Sequence, residues 1–129
     1  METKDRLAAV LIVEDEPIIR LALSDYLQEN HFKVFEARST REAMDILESP
    51  DRKVDLVFVD IQLPGVINGL GLATWVKGKK PGIAVVLTSG YADKAKSAHD
   101  LFEGAPFVEK PYDMAKVVTT FRQTLATTH

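Results

Sequence analysis

The stretch Asp55-Leu56-Val57-Phe58-Val59-Asp60-Ile61-Gln62-Leu63-Pro64-Gly65 decides the reading of the chain. Residues 56–59 are apolar, β-branched or aromatic, and a Pro-Gly pair follows shortly after Asp60. An apolar run of this length bounded by turn residues predicts a strand buried on both faces, as found inside a parallel sheet. Asp60 then stands at its carboxyl end, the edge of an open α/β sheet where the backbone turns and leaves a crevice for binding and reacting groups. Taken alone, a strand-ending Asp is more often a turn cap, so its neighbours along the chain have to decide.

Toward the N-terminus, Leu7-Ala8-Ala9-Val10-Leu11-Ile12-Val13 is a second continuous apolar run, stopping at Glu14-Asp15-Glu16-Pro17. It predicts the first strand. Pro17 suits the first turn of a helix, where its missing N–H would be unpaired anyway, and the acids ahead of it suit the positive helix end. Apolar residues continue at helical spacing, which predicts a helix over Pro17–Glu29 with Asn30 as its stop. Phe32–Ala37 alternates enough for a short strand, less buried than the first. Thr40-Arg41-Glu42-Ala43 then resembles a capping-box start whose acid falls one residue early, with Ala43, Ile46 and Leu47 on one apolar face.

Toward the C-terminus, Val66–Lys77 predicts a third helix weakened by its glycines, and Ile83–Thr88 an apolar strand ending in a hydroxyl. Ser89-Gly90-Tyr91 turns the chain, and Ala92–Phe102 predicts a fourth helix with a thin apolar face, closed by Gly104. Ala105–Pro111 holds a short strand ending at Lys110, and Tyr112–Leu125 a last amphipathic helix. Five strands alternating with five helices imply an α/β domain, a five-stranded parallel sheet with helices on both faces, because parallel neighbours need a crossover. Glu14 and Asp15, Asp60, Thr88 and Lys110 then fall on one edge of that sheet.

Composition narrows the function. The 129 residues carry a net charge of −3 with Lys and Arg scattered through the chain, so there is no basic stripe for a nucleic-acid backbone. The absence of cysteine excludes a disulfide framework, a thiolate metal site and a cysteine nucleophile. The apolar run Leu7–Val13 is too short to span a membrane and lacks a cleavage pattern, so the expectation is a cytoplasmic protein without membrane contact. With no repeat or linker-like tract, a single domain is expected over residues 1–129, with its core at about 7–125.

Carboxylates gathered at one edge repel each other, by roughly 4 kcal/mol per pair at about 4 Å and an effective dielectric of about 20. Positive charge must offset this. Lys110 supplies one charge and a hard divalent cation with oxygen ligands supplies more; Mg²⁺ fits, since it is commonly held by one or two carboxylates, water and phosphate oxygen. Asp60 is then a nucleophile able to take a phosphoryl group as an acyl phosphate, with the metal, Lys110 and the Thr88 hydroxyl on the phosphoryl oxygens.

These residues resemble the receiver domain of two-component response regulators, in the manner of the single-domain chemotaxis regulators, and the resemblance covers about Leu7 to Leu125. It implies the doubly wound flavodoxin-like (βα)5 fold, Mg²⁺ as cofactor, and a histidine kinase or histidine phosphotransfer protein as donor. Asp60 matches the phosphoacceptor. Glu14 and Asp15 match the acidic pair, Asp15 touching the metal directly and Glu14 through water, and Gln62 holds the place whose backbone carbonyl completes the metal shell. Thr88 matches the switch hydroxyl, Phe107 the switch aromatic, and Lys110-Pro111 the Lys-Pro pair whose peptide bond is usually cis in the family. The implied signal is a changed face of helix four, strand five and helix five, read by a downstream protein target or a second copy of the chain. The receiver either stands alone or belongs to a longer regulator or hybrid kinase. It would be a signalling domain that catalyses only its own phosphorylation and dephosphorylation. Partner contacts are expected along helix one, at Ile19, Arg20, Leu23 and Ser24.

The chain departs from the family pattern in three places. Its acidic pair is Glu14-Asp15 where two aspartates are commoner, the loop after Asp60 reaches Asn68-Gly69 one residue late, and Tyr91 adds a second aromatic near the switch face, which would share the signal with Phe107. Three rival readings fit less well. A haloacid-dehalogenase-like phosphatase needs a second acid two residues after the nucleophile, where Gln62 stands. A flavodoxin-like cofactor site needs a glycine- or hydroxyl-rich loop after strand one, where Glu14-Asp15-Glu16 would repel phosphate. A degenerate receiver serving only as a protein-binding module would not need the constellation intact.

Overall fold

Strands β1 (Ala9–Val13) and β3 (Leu56–Asp60) lie side by side and are buried at every position. Both are continuous apolar runs with no face suited to water, which places them in the middle of a covered parallel sheet. The computed structural model describes residues 6–90 and 105–127 and has five strands in one sheet. Strand β2 (Lys33–Ala37) flanks β1, while β4 (Ala84–Ser89) and then β5 (Phe107–Glu109) continue from β3, all parallel, in the order β2-β1-β3-β4-β5. Edge strand β2 is fully buried only at Ala37, in keeping with its mixed sequence. The strand order reverses between β1 and β3, so the crevice expected at such a switch point opens at their carboxyl ends.

Helices cover both faces. Helices α1 (Pro17–Glu29) and α4 (Met114–Thr127) bury Leu23, Leu27, Val117 and Phe121 on one side; α2 (Thr40–Glu48) and α3 (Gly69–Lys79) bury Ala43, Leu47, Leu72 and Val76 on the other. Phe58 anchors the first layer, its ring centroid 5.0 Å from Phe121 and 5.5 Å from Tyr112. Burying such a ring contributes about 1.5–3 kcal/mol. It also fixes the strand that ends two residues later at Asp60.

Helix α1 has the predicted limits, with Pro17 in its first turn. Helix α2 begins at Thr40 as expected, but the capping residue is Ser39, whose Oγ accepts from the Glu42 N–H at 3.1 Å while the Glu42 carboxylate accepts from Arg38 N at 2.8 Å. Glu42 therefore stands three residues after its cap, Ser39, the regular capping-box spacing, and not one residue early. Thr40 instead faces inward and donates to the Ile67 carbonyl at 2.6 Å, tying the start of α2 to the loop after β3. Helix α3 starts at Gly69 rather than Val66, because Asn68 caps it, accepting from Gly71 N at 2.8 Å. Helix α4 starts at Met114 behind Asp113, which accepts from Ala115 N at 3.1 Å and Lys116 N at 3.3 Å. Tyr91 and the helix expected over Ala92–Phe102 lie outside the described residues. Among the described residues, no helix is long and apolar enough to cross a membrane.

Candidate functional site

Asp60 is the last residue of β3 and stands opposite Thr88 of β4; Glu14 directly follows β1 and Lys110 directly follows β5. Backbone hydrogen bonds continue past the strand ends and fix these positions: Glu14 N donates to Ala37 O at 3.0 Å, Ile61 N to Thr88 O at 2.9 Å, and Lys110 N to Ser89 O at 3.0 Å. The parallel register, set by the apolar runs, therefore aligns side chains that are far apart in sequence.

The Lys110 ammonium joins them. Its Nζ lies 2.7 Å from Asp60 Oδ2 and 2.9 Å from Glu14 Oε1. Asp60 Oδ1 accepts from Gln62 N at 2.9 Å and Glu14 Oε2 from Glu16 N at 3.2 Å. Glu14 is 2% exposed and Asp60 6%. Burial pushes the Glu14 carboxyl above the usual carboxylate range, and Lys110 draws it only part of the way back. Burial acts against the charge on Lys110 as well, but hydrogen bonds to Asp60 and Glu14 outweigh it and hold the ammonium above its ordinary range. Two carboxylates thus share one cation in a nearly dry pocket, an arrangement that is stable only while all its members are present. Glu14 meets the amine through Oε1. The Lys110–Pro111 peptide is cis, as the resemblance implies.

The remaining predicted residues are distributed around this pair. Thr88 is buried, and its hydroxyl has no hydrogen-bond partner among the described residues. Gln62 is in the turn after β3, and its side-chain carbonyl accepts from Ser89 Oγ at 2.9 Å. Asp15 is exposed at the rim, and Phe107 is half-buried against the layer beneath α2 and α3. Among the described residues, no three acidic or histidine side chains are grouped to hold a metal ion by themselves. The donors at hand are nonetheless all hard oxygens, and the Glu14–Asp60–Lys110 cluster keeps one surplus negative charge, which suits a hard divalent cation.

Two of the expected partner-contact residues do not serve. Leu23 and Ser24 are buried, because they lie on the face of α1 that packs on the sheet, whereas Ile18 is 82% and Leu21 53% exposed. Arg20 is half-buried and engaged: its guanidinium donates to the Glu14 carbonyl at 2.9 Å and bonds Glu36 at 3.1 Å, bracing the acidic loop. Sequence reasoning did not find the Gln62–Ser89 hydrogen bond. The signal was available in the alignment of β3 with β4, which brings the residues just past Asp60 and Thr88 together.

Residues 10–122 match the model of the response regulator receiver domain. The chain belongs to that family. The receiver is 34% identical over 120 residues to the sensor kinase CckA of Brucella abortus, covering 92% of this chain and 12% of that protein. It is 32% identical over 121 residues to the nitrogen assimilation regulatory protein NtrX of Azorhizobium caulinodans, covering 92% and 26%. Among solved structures, the receiver domain of NtrX from Brucella abortus superposes with a TM-score of 0.81 at 29% identity, covering 92% of this receiver and 98% of that chain. A response regulator receiver protein from Sinorhizobium medicae gives a TM-score of 0.85 at 25% identity, covering 96% and 98%. The receiver spans between 12% and 49% of the length of the first curated relatives it matches. Its general role is that of a two-component receiver, a signalling domain.

Proposed function

We propose that this receiver accepts a phosphoryl group on Asp60 from the phosphohistidine of a histidine kinase or histidine phosphotransfer protein and reports it through altered protein binding. One observation carries the reading: the Lys110 ammonium bonds Asp60 at 2.7 Å and Glu14 at 2.9 Å where three strands end. In the transfer, an Asp60 oxygen bonds to phosphorus as the phosphorus–nitrogen bond breaks, and the electron pair of that bond remains on the partner's imidazole. Lys110 would turn from the carboxylate to a phosphoryl oxygen, and the Thr88 O–H would donate to another. Asp60, Asp15, the Gln62 backbone carbonyl and, through water, Glu14 would hold Mg²⁺. When bound, that ion supplies positive charge against the charge spread over the phosphoryl oxygens.

As Thr88 moves toward the phosphoryl group it vacates space into which Phe107 turns, with Tyr91 sharing the change. The face that carries β5 and α4 then presents a different shape to a downstream protein or to a second copy of the chain. Moving a two-state ratio from 1:99 to 99:1 takes about 5.5 kcal/mol, and a few charge-assisted hydrogen bonds at about 1.5–3 kcal/mol each supply it. The receiver catalyses only its own phosphorylation and dephosphorylation, forms one domain that stands alone or within a longer regulator or hybrid kinase, and works on the cytoplasmic side without itself contacting nucleic acid or membrane. Incubation with acetyl phosphate and Mg²⁺ followed by intact mass measurement tests the assignment. A single phosphoryl adduct absent from Asp60→Asn is expected, and an adduct retained on that variant would reject it.

A further inference from the structure

Among the described residues, Thr88 Oγ1 and the Tyr112 hydroxyl are both buried and both lack a hydrogen-bond partner. Buried polar atoms in native proteins are nearly always paired, so two orphans beside one site call for an explanation. They share a neighbourhood. Tyr112 follows the Lys110–Pro111 peptide, and its ring packs on Phe58, two residues before Asp60, at 5.5 Å between centroids. Burial pushes the Tyr112 phenol above its ordinary range; the Thr88 hydroxyl and Lys110 oppose that push, while Glu14 and Asp60 add to it. The phenol therefore keeps its proton and remains a hydrogen-bond donor.

A hydroxyl offers one O–H and accepts at its oxygen, so a donor behind Thr88 leaves the threonine proton free to point forward. We propose that Tyr112 is a positioning residue for the switch: its O–H donates to Thr88 Oγ1 when the Thr88 O–H donates to a phosphoryl oxygen on Asp60. The inference rests on the phosphoacceptor reading above. Both orphans are satisfied together once an anionic oxygen arrives, and each hydrogen bond in such a chain polarises the next. Tyr112 touches neither donor nor phosphate and acts through Thr88.

The test is a double-mutant cycle on the affinity for beryllofluoride, a stable phosphoryl analogue, measured with Mg²⁺ by fluorine NMR on the full chain. Tyr112→Phe keeps the ring on Phe58 and removes only the hydroxyl. It is expected to weaken binding about threefold to tenfold, the usual net worth of a neutral hydrogen bond, and to have no effect in a Thr88→Ala background. Equal affinity of Tyr112→Phe and wild type would overturn the inference. So would the same loss in both backgrounds, accompanied by the same drop in thermal midpoint, which would mark a packing role. Failure of the wild-type chain to bind beryllofluoride would instead remove the phosphoacceptor reading itself, and the relay with it.

Discussion

Gly69 packs directly against the backbone of Asp60: a Cβ built on the glycine would fall on the Asp60 carbonyl oxygen and within 2.7 Å of Ile61 Cα. The first residue of α3 and the last residue of β3 are thus in main-chain contact, and the helix start fixes the exit path of the strand carrying the candidate nucleophile. Gly69→Ala is expected to destabilise the fold by about 1–3 kcal/mol, the usual cost of overpacking. It should also slow phosphorylation by acetyl phosphate. Urea unfolding and intact mass read the two effects, and an unchanged urea midpoint would show that the contact relaxes without cost.

Lys110 is expected to matter for folding as well as for chemistry. Removing the shared cation leaves two buried carboxylates uncompensated, so Lys110→Ala should cost about 3–5 kcal/mol at neutral pH. Adding Glu14→Gln to it should recover part of that loss, because one of the stranded charges disappears. Denaturant unfolding of the single and double variants measures the coupling, and additive losses would mean that the two side chains act independently.

The pH dependence follows from Glu14. Its native carboxyl is raised above the ordinary value, so the folded state binds this proton more tightly than the unfolded state. The stability it contributes is fully present below the ordinary glutamate range of about 4.3 and is lost as pH rises through the native value. In metal-free buffer, wild type should lose stability relative to Glu14→Gln across that window and run parallel to it above. Lys110, raised in the native state, contributes stability below the ordinary lysine range that is lost as pH rises through its native value. Urea midpoints across the pH range measure both slopes; parallel Glu14→Gln and wild-type curves throughout would sink the Glu14 part.

Ile18 and Leu21 are large apolar side chains exposed on α1, at the carboxyl edge of the sheet beside the acidic loop. Replacing both with serine is expected to reduce transfer from a phosphohistidine partner by at least about tenfold, the equivalent of about 1.4 kcal/mol of lost apolar contact. Phosphorylation by acetyl phosphate, which needs no docking surface, should be unchanged. Equal losses with both donors would place the defect in the site rather than in docking.

The sheet was legible because β1, β3 and β4 are runs that only a covered parallel sheet accommodates, and their abrupt ends at Glu14, Asp60 and Thr88 marked the edge that matters. Helix limits were legible where one signal dominated, as with Pro17, and less so where two candidates competed. At α2, Ser39 and Thr40 are adjacent hydroxyls, and only packing decides which caps and which turns inward to Ile67. At α3, apolar residues from Val66 onward carry the periodicity back too far, although Asn68 is the cap. The predicted meeting of Asp60, Glu14 and Lys110 is present. In the sequence Tyr112 marks only the start of a helix, because nothing in linear order reveals that its hydroxyl is buried.

Asp60 is held at both oxygens, Oδ1 by the Gln62 amide and Oδ2 by Lys110. A carboxylate has about four lone-pair directions, so the plane of this one is set while free directions remain to meet an incoming group. A reagent arriving at the pocket encounters an aimed oxygen rather than a freely spinning one, and the loss of rotational freedom that would otherwise slow the encounter has already been met during folding.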